Sequence, residues 1–495
     1  MIEAWGADEV RAAEAALMET LPEGELMARA SAGLAEVAAA RLEERGGSRV
    51  VALVGPGNNG GDALYAAAHL ADRGFAVAAL RAAWPVHEGA LAAAEAAGVL
   101  VLGPGDDWQA LLAEADLVVD GVLGIGGRPG LPEEAQPWVD AVPDDAYVLA
   151  VDLPSGQDPA GQQAVPDAVY ADETVTFGVV KPVHLLPATE PAVGRLTVVD
   201  IGLEVDAAPA VQRVTRDDVP GLWPVPTATD DKYSRGVLGV VAGGEQYTGA
   251  AVLCCTAAVA SGVGMVRYVG PPTPTGLVRA AVPEAVVGEG QVQAWVIGPG
   301  LDSAATGDGA ERQLEVAGRA LASDLPVLLD AGGIDLLWGR RLAPTLLTPH
   351  AGELARLLTR LGEREVTREE VQAAPLDHAR QAADSTGATV LLKGSTTLVV
   401  PPADTGLPVR SQNDAPAWLA TAGAGDVLAG LAGTLLAAGL EPWDAASLAA
   451  LVHGVAADAA NPGGPVRAVA VAHGIPGTVA ALLARWDDRP PGEAP

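Results

Sequence analysis

Cysteine is almost missing from this 495-residue chain. Cys254 and Cys255 are adjacent, a poor arrangement for bridging each other, and sit in an Ala/Val-rich helical stretch. No disulfide framework is available, so a reducing compartment is expected and the pair reads as small buried hydrophobes. Lysine is scarce as well: Lys181, Lys232 and Lys393 are three of 30 basic residues. Where arginine is otherwise preferred, lysine should persist mainly where a compact ammonium is hard to replace. Basic residues are outnumbered by 63 acidic ones, for a formal net charge of −33. Nucleic acid and anionic membrane surfaces are not expected as partners, because both would repel the chain. Long apolar runs are missing too: the best, 427–440, is interrupted by glycine and too short to span a bilayer. Residues 1–20 carry several acids and lack a basic start followed by an apolar stretch, so they do not read as a secretory signal. A soluble, cytoplasmic protein is expected.

Small and apolar residues fill the space. The chain is 49% hydrophobic, with 60 glycines and 38 prolines, a composition of globular α/β structure rich in tight turns. Its length calls for two or three domains. Residues 1–45 read as a helical hairpin. Strand-like runs follow at 49–54, 75–80, 99–102, 117–120, 147–152 and 173–177, with Ala/Leu-rich helical segments between the earlier ones. Such alternation predicts a parallel sheet covered on both faces, whose ligands bind beyond the carboxyl ends of the strands. After a proline-studded seam the logic restarts, with strands at 237–242, 294–297, 327–330, 346–349 and 389–393. The expected division is a first domain over 1–208, a linker over 209–224, a second domain over 225–486 and a flexible tail over 487–495. The fold class is α/β, as two three-layer α/β/α domains.

Polar residues gather at the strand ends. The first strand runs into Gly55-Pro56-Gly57-Asn58-Asn59-Gly60-Gly61-Asp62, and two others end in Asp120-Gly121 and Asp152-Leu153-Pro154-Ser155-Gly156. In the second half, Ala422-Gly423-Ala424-Gly425-Asp426 precedes an Ala/Leu-rich helix. Bare N–H groups at a helix N-terminus hold phosphate. An aspartate there is repelled by phosphate, so its presence suggests proton transfer or cation binding. Taken alone, either glycine string serves a tight turn as well as a ligand. Asp152 alone could form a turn, His350 could cap one, and Lys393 could snorkel from a surface. Glu353 suits a first-turn charge as well as a ligand, and His453 on its apolar helix reads as packed.

With Asp120, the Asp152 turn and the loop Gly124-Ile125-Gly126-Gly127-Arg128-Pro129-Gly130, the first string resembles the epimerase domain of the bifunctional NAD(P)H-hydrate repair family, known as the YjeF N-terminal domain. The resemblance covers about residues 10–205 and implies a Rossmann-like half that interconverts R and S hydrates of NADH and NADPH. Residues Asn58, Asn59, Gly60, Gly61 and Asp62, with Gly124 to Gly130, would hold the cofactor. Asp152 would be the acid/base residue. Potassium is implied at Asn59, Asp120 and Ser155. One departure stands out: the usual string continues with glycine, whereas Ala63 follows Asp62 here, tolerable if residue 63 is already helical.

The second string sits among Lys232-Tyr233-Ser234-Arg235-Gly236, Thr348-Pro349-His350-Ala351-Gly352-Glu353 and Lys393-Gly394-Ser395-Thr396-Thr397. Together they resemble the ribokinase-like, ADP/ATP-dependent NAD(P)H-hydrate dehydratase domain of the same family, over about 225–485. This implies a base at Asp426, nucleotide binding by Lys393, Gly394, Ser395, Thr396, Thr397 and Gly425, and hydrate contacts from Ala250, Gly300, His350 and Asp426. ADP with magnesium is the implied co-substrate, and a homo-oligomer of tetrameric or larger size the implied assembly. The competing reading is a ribokinase-type small-molecule kinase fused to a non-catalytic scaffold.

Overall fold

The computed structural model describes residues 1–362 and 364–484, so the tail expected over 487–495 lies outside the described residues. The chain divides into two compact units, Glu3–Val211 and Gln212–Pro495, with Met1–Ile2 grouped in the latter.

Among the described residues the first unit holds a seven-stranded sheet in the order Leu100–Leu102, Ala76–Arg81, Arg49–Val54, Leu117–Gly121, Tyr147–Val151, Glu173–Phe177, Arg195–Val199. Every neighbouring pair is parallel. Val50, Ala52 and Val54 join the helices Glu25–Arg45 and Asn58–Asp72 in one apolar cluster, while Val51 and Leu53 face another with Leu112 and Trp138. The near-continuous apolar run of this strand follows from having both faces covered. Chain order reverses between Arg49–Val54 and Leu117–Gly121, which opens a crevice at their carboxyl ends. Glu173 is fully buried and takes Arg41 as a two-pronged partner at 2.6 and 3.2 Å, with the hydroxyls of Tyr147 and Thr197 also donating to it.

In the second unit the sheet runs Val409–Gln412, Thr397–Val400, Thr389–Leu392, Thr345–Leu347, Val327–Leu329, Ala294–Ile297, Val237–Val241, Met265–Val269, Val286–Val287. The first three strands pair antiparallel and the rest parallel. Thr248–Ala260, Ala424–Ala437, Pro442–Ala460 and Ala468–Ala484 build an alanine-rich core on this sheet. Their approach is close: a Cβ added at Gly430 would lie 2.2 Å from the Cys254 carbonyl. Cys254 and Cys255 are free and buried there, as expected. No helix among the described residues is long and apolar enough to cross a membrane.

The expected linker needs correction. Within 209–224 lie a strand, Val211–Arg213, and a short helix, Val219–Leu222. Val214, Val219 and Trp223 are buried in the second unit's core. Four prolines signalled a seam, but Pro220 merely opens the helix, and the apolar residues between the prolines anchor the segment.

Candidate active sites

In the first unit, the Gly55–Asp62 string turns straight from a strand into the helix Asn58–Asp72. Gly57 has φ +87°, which glycine alone adopts at low cost. The first helical bond is Gly61 N–H to the Gly57 carbonyl, so the amides of Asn58, Asn59 and Gly60 have no partner within the helix. Pro56, Gly57 and Asn58 form the exposed rim, whereas Gly60, Gly61 and Asp62 are buried. A Cβ at Gly60 would lie 2.0 Å from the Gly55 carbonyl. The bare Cα of Gly60 therefore closes the turn on itself rather than admitting a ligand. Ala63 is helical, and its Cβ takes the space a side chain at Gly121 would need, so the departure from glycine is accommodated.

Asp152 follows Tyr147–Val151 in the left-handed region, with φ 66°, a conformation that costs an ordinary residue about 1–3 kcal/mol and gathers at functional sites. Lys181 Nζ donates to Asp152 Oδ1 at 2.6 Å, to Thr176 Oγ1 at 2.7 Å and to the Phe177 carbonyl at 3.1 Å. Thr176 Oγ1 donates to the same carboxylate oxygen at 3.0 Å. His184 Nδ1 accepts from the Lys181 amide, so its proton sits on Nε2 and goes to the Asp152 carbonyl at 2.7 Å. Burial and the neighbouring lysine push His184 down to about 4, keeping it neutral. Burial alone would raise Asp152, but the charge and hydrogen bond of Lys181, with His184 and Thr176, outweigh it and hold the carboxyl below its ordinary range. Asp62 goes the other way: burial first, then Asp152 and Glu14, drive it well above that range.

The loop 124–130 meets this turn. A Cβ at Gly124 would lie 2.8 Å from Asn59 Oδ1, Gly130 N–H donates to the Gly156 carbonyl, and Leu123 N–H donates to Ser155 Oγ. Asp120 is fully buried and accepts from Ser155 N–H, Ser155 Oγ and Val122 N–H at 2.8, 2.6 and 3.3 Å. Burial raises its pKa despite those bonds, and no basic side chain pairs with it among the described residues. No cluster of three or more His, Cys, Asp or Glu that could hold a metal occurs among the described residues. An uncompensated carboxylate beside an amide and a hydroxyl is a set of hard oxygens, which suits a monovalent cation.

In the second unit the strand ends bring Asp330, Lys393 and Glu353 together. Gly423, with φ +90°, starts the helix Ala424–Ala437 and puts Asp426 in its first turn. A Cβ at Gly425 would come 3.4 Å from Lys393 Nζ. Lys393 donates to Asp330 Oδ1 at 2.8 Å and lies 3.6 Å from Glu353 Oε2, while Thr348 Oγ1 donates to the same Asp330 oxygen. Burial would lower Lys393, but Asp330 and Glu353 outweigh it and raise the ammonium. Asp426 is pushed up to about 7, first by burial, then by the like charge of Asp330, with Lys393 opposing. Gly300 and Ala250 are in contact, a Cβ on the glycine falling 2.7 Å from the alanine's. Gly394 and Ser395 are exposed at a hairpin tip, with Thr396 buried beneath and Thr397 opening the next strand.

Two models of known families match the chain. One, described as YjeF-related protein N-terminus, covers residues 23–183, and one described as NAD(P)H-hydrate dehydratase covers 238–470. The bifunctional NAD(P)H-hydrate repair enzyme Nnr of Mycobacterium tuberculosis is 45% identical over 465 residues, spanning 90% of this chain and 91% of that protein. The chain belongs to the bifunctional NAD(P)H-hydrate repair enzymes. The Corynebacterium glutamicum enzyme is 34% identical, over 87% of this chain and 86% of its own length. Among solved structures, an ADP/ATP-dependent NAD(P)H-hydrate dehydratase from Bacillus subtilis aligns at 25% identity and TM-score 0.48, covering 55% of this chain and 99% of that one.

Within this NAD(P)H-hydrate repair enzyme, His350 caps the helix Ala351–Leu361: its Nδ1 accepts from Gly352 and Glu353 N–H, and Glu353 accepts from the His350 amide. Nε2, 3.5 Å from Glu353 Oε1, is the ring nitrogen left to meet a ligand. His453 is buried, as read from its apolar helix, with Nε2 unpartnered. Glu14, Thr176 and His184 escaped the sequence reading. A glutamate in an acidic helical hairpin carries no signal of its own, and Thr176 and His184 become visible only once Lys181 is seen to reach Asp152.

Proposed function

We propose that the chain repairs hydrated nicotinamide cofactors in two steps. The unit Glu3–Val211 interconverts the R and S hydrates of NADH and NADPH. The unit from Gln212 onward returns the S form to NAD(P)H at the expense of ADP, giving AMP and phosphate. The observation that carries this reading is Asp426, a carboxyl held at about 7 in the first turn of a helix whose glycine turn adjoins Lys393. A group half-ionised at neutral pH is well matched to general-base work.

In the second unit, the hydrate's hydroxyl gives its proton to Asp426 as its oxygen attacks the terminal phosphoryl group of ADP. Lys393 and the amides around Gly425 offset the charge developing there. Phosphate then leaves with the bonding electrons, the ring nitrogen's lone pair supports the carbon it leaves, and loss of a neighbouring C–H proton restores the double bond. Phosphate is a far better leaving group than hydroxide, which is why a nucleotide is consumed. Lys393, Gly394, Ser395, Thr396, Thr397 and Gly425 would grip the nucleotide, and Ala250, Gly300 and His350 Nε2 the hydrate. Magnesium would come with the nucleotide's phosphates, which supply most of its oxygens, and Asp330 is the fixed carboxylate on that wall.

In the first unit, Asn58, Asn59 and the loop 124–130 would hold the cofactor while Asp152, kept ionised by Lys181, handles the proton. Potassium, when held by Asn59, Asp120 and Ser155, supplies the counter-charge that the buried Asp120 lacks. The test is an incubation of the intact chain with mixed R and S hydrates, ADP and magnesium. All hydrate should return to NAD(P)H with one AMP per molecule. A product that stays phosphorylated, or conversion that halts once the S form is exhausted, contradicts the reading.

A further inference from the structure

Glu14 and Asp62 both feel the charge of Asp152, and the ammonium of Lys181 is bonded to Asp152 alone of the three. Asp62 is the fifth residue of the helix Asn58–Asp72 that follows Arg49–Val54, and Asp152 follows Tyr147–Val151, with only the strand Leu117–Gly121 between those two strands in the sheet. Glu14, on the helix Ala7–Met18, feels the charges of Lys181, Asp152 and Arg11. His184 is the remaining titratable neighbour and is neutral. Asp62 feels the Asp152 charge with no cation opposing it, because the Lys181 ammonium is committed to Asp152, so Asp62 and Asp152 do not both stay ionised. Asp62 is the member with nothing to stabilise its charge: it is 8% exposed, and its Oδ1 has no hydrogen-bond partner.

Building on the epimerase reading above, we propose that Asp62 is the acid of the first site, holding the proton that Asp152 does not and delivering it to the hydroxyl of the bound hydrate. Asp62 carries the proton and Asp152 the charge, an arrangement in which neighbouring environments separate acid from base. Asp62 O–H protonates the hydroxyl on the carbon beside the ring nitrogen. The C–O bond breaks, its electron pair leaves with oxygen as water, and the nitrogen lone pair forms a C=N bond. Water then adds to the other face of that carbon and loses a proton to the Asp152 carboxylate. Transfer of that proton back through water to Asp62 resets the site, so neither oxidant nor nucleotide is required. Glu14 is the weaker candidate: burial raises its carboxyl too, but Lys181 and Arg11 oppose the rise, whereas no cation opposes it at Asp62.

The experiment compares kcat/KM for R-to-S interconversion across pH in the wild-type chain and in Asp62→Asn, Asp62→Glu and Glu14→Gln. Wild type should be bell-shaped, rising as Asp152 ionises and falling as Asp62 loses its proton. Asp62→Asn should lose roughly 10²–10⁴-fold together with the falling alkaline limb, and Asp62→Glu should recover part of both. Infrared difference spectra of wild type against Asp62→Asn at neutral pH read the proton without relying on turnover. A protonated-carboxyl band present only in wild type supports the proposal, and its absence overturns it. Asp62→Asn within tenfold of wild type, or loss of the alkaline limb in Glu14→Gln instead, overturns it while leaving the epimerase reading standing. A wild-type chain that interconverts nothing overturns that reading and this inference with it.

Discussion

Replacing Asp426 by asparagine should cost activity and raise stability at once. The carboxyl moves from an ordinary 3.8 to about 7, roughly three pKa units, or about 4 kcal/mol against the ionised form. A group whose folded pKa lies above its unfolded value contributes stability that is present at low pH and lost as pH rises through the folded value. Above pH 7 the native unit therefore carries the whole penalty, and below about pH 4 it carries none. Asp426→Asn removes the penalty. Solvent reaches part of this side chain, so the gain at pH 8 should be about 1–2 kcal/mol rather than the full amount. That corresponds to roughly 2–4 °C per kcal/mol in a unit of this size, shrinking to nothing near pH 4. Meanwhile removal of the base should slow dehydration by ~10²–10⁴-fold, about 3–5 kcal/mol in the barrier, with nucleotide affinity changed only a few-fold. Scanning calorimetry at pH 4 and 8 and single-turnover recovery of reduced-nicotinamide absorbance read the two effects. A variant within tenfold of wild-type rate, or one that melts lower than wild type at pH 8, refutes the argument.

Three further outcomes follow from the first unit. Lys181→Met takes away the charge that keeps Asp152 ionised, so its pKa should rise and interconversion at neutral pH should fall about 100-fold, recovering toward alkaline pH; an unchanged pH profile contradicts this. Arg41→Met leaves Glu173 buried without its cation, and chemical denaturation should show a loss of about 3–5 kcal/mol, with a loss under about 1 kcal/mol counting against the packing described. Exchanging potassium for a much larger organic cation should depress interconversion and spare dehydration of pure S hydrate, whereas equal loss of both activities contradicts a site at Asp120.

Much of the architecture was legible because strands covered on both faces must be apolar throughout. Arg49–Val54 and Ala294–Ile297 were read at their observed bounds for that reason. Strands lacking that signal were missed. Arg195–Val199 has no fully buried residue, and Val409–Gln412 buries Arg410, Ser411 and Gln412, so neither shows an apolar run. Arg410 is housed by stacking 3.2 Å over the Trp443 ring and by Asp444, a solution only tertiary structure reveals. At the sites, glycine strings and strand-end acids pointed to Asp152, Asp426 and Lys393. What the sequence could not show is how charges divide among neighbours: it assigns Asp62 to holding the cofactor and Asp152 to acid/base work, and only burial and the reach of Lys181 show that their carboxyls shift in opposite directions.

The central claim is that each unit grips a piece of anionic cofactor at its own glycine turn and works on it with its own carboxylate. Crystals soaked with NADPH hydrate and a non-hydrolysable ADP analogue test it most directly. Density for a nicotinamide ring against Asp152 and for an adenylate along 393–397 and Gly425 is the predicted result. Empty turns in both units after saturation, or both ligands crowded into a single cleft, would contradict it.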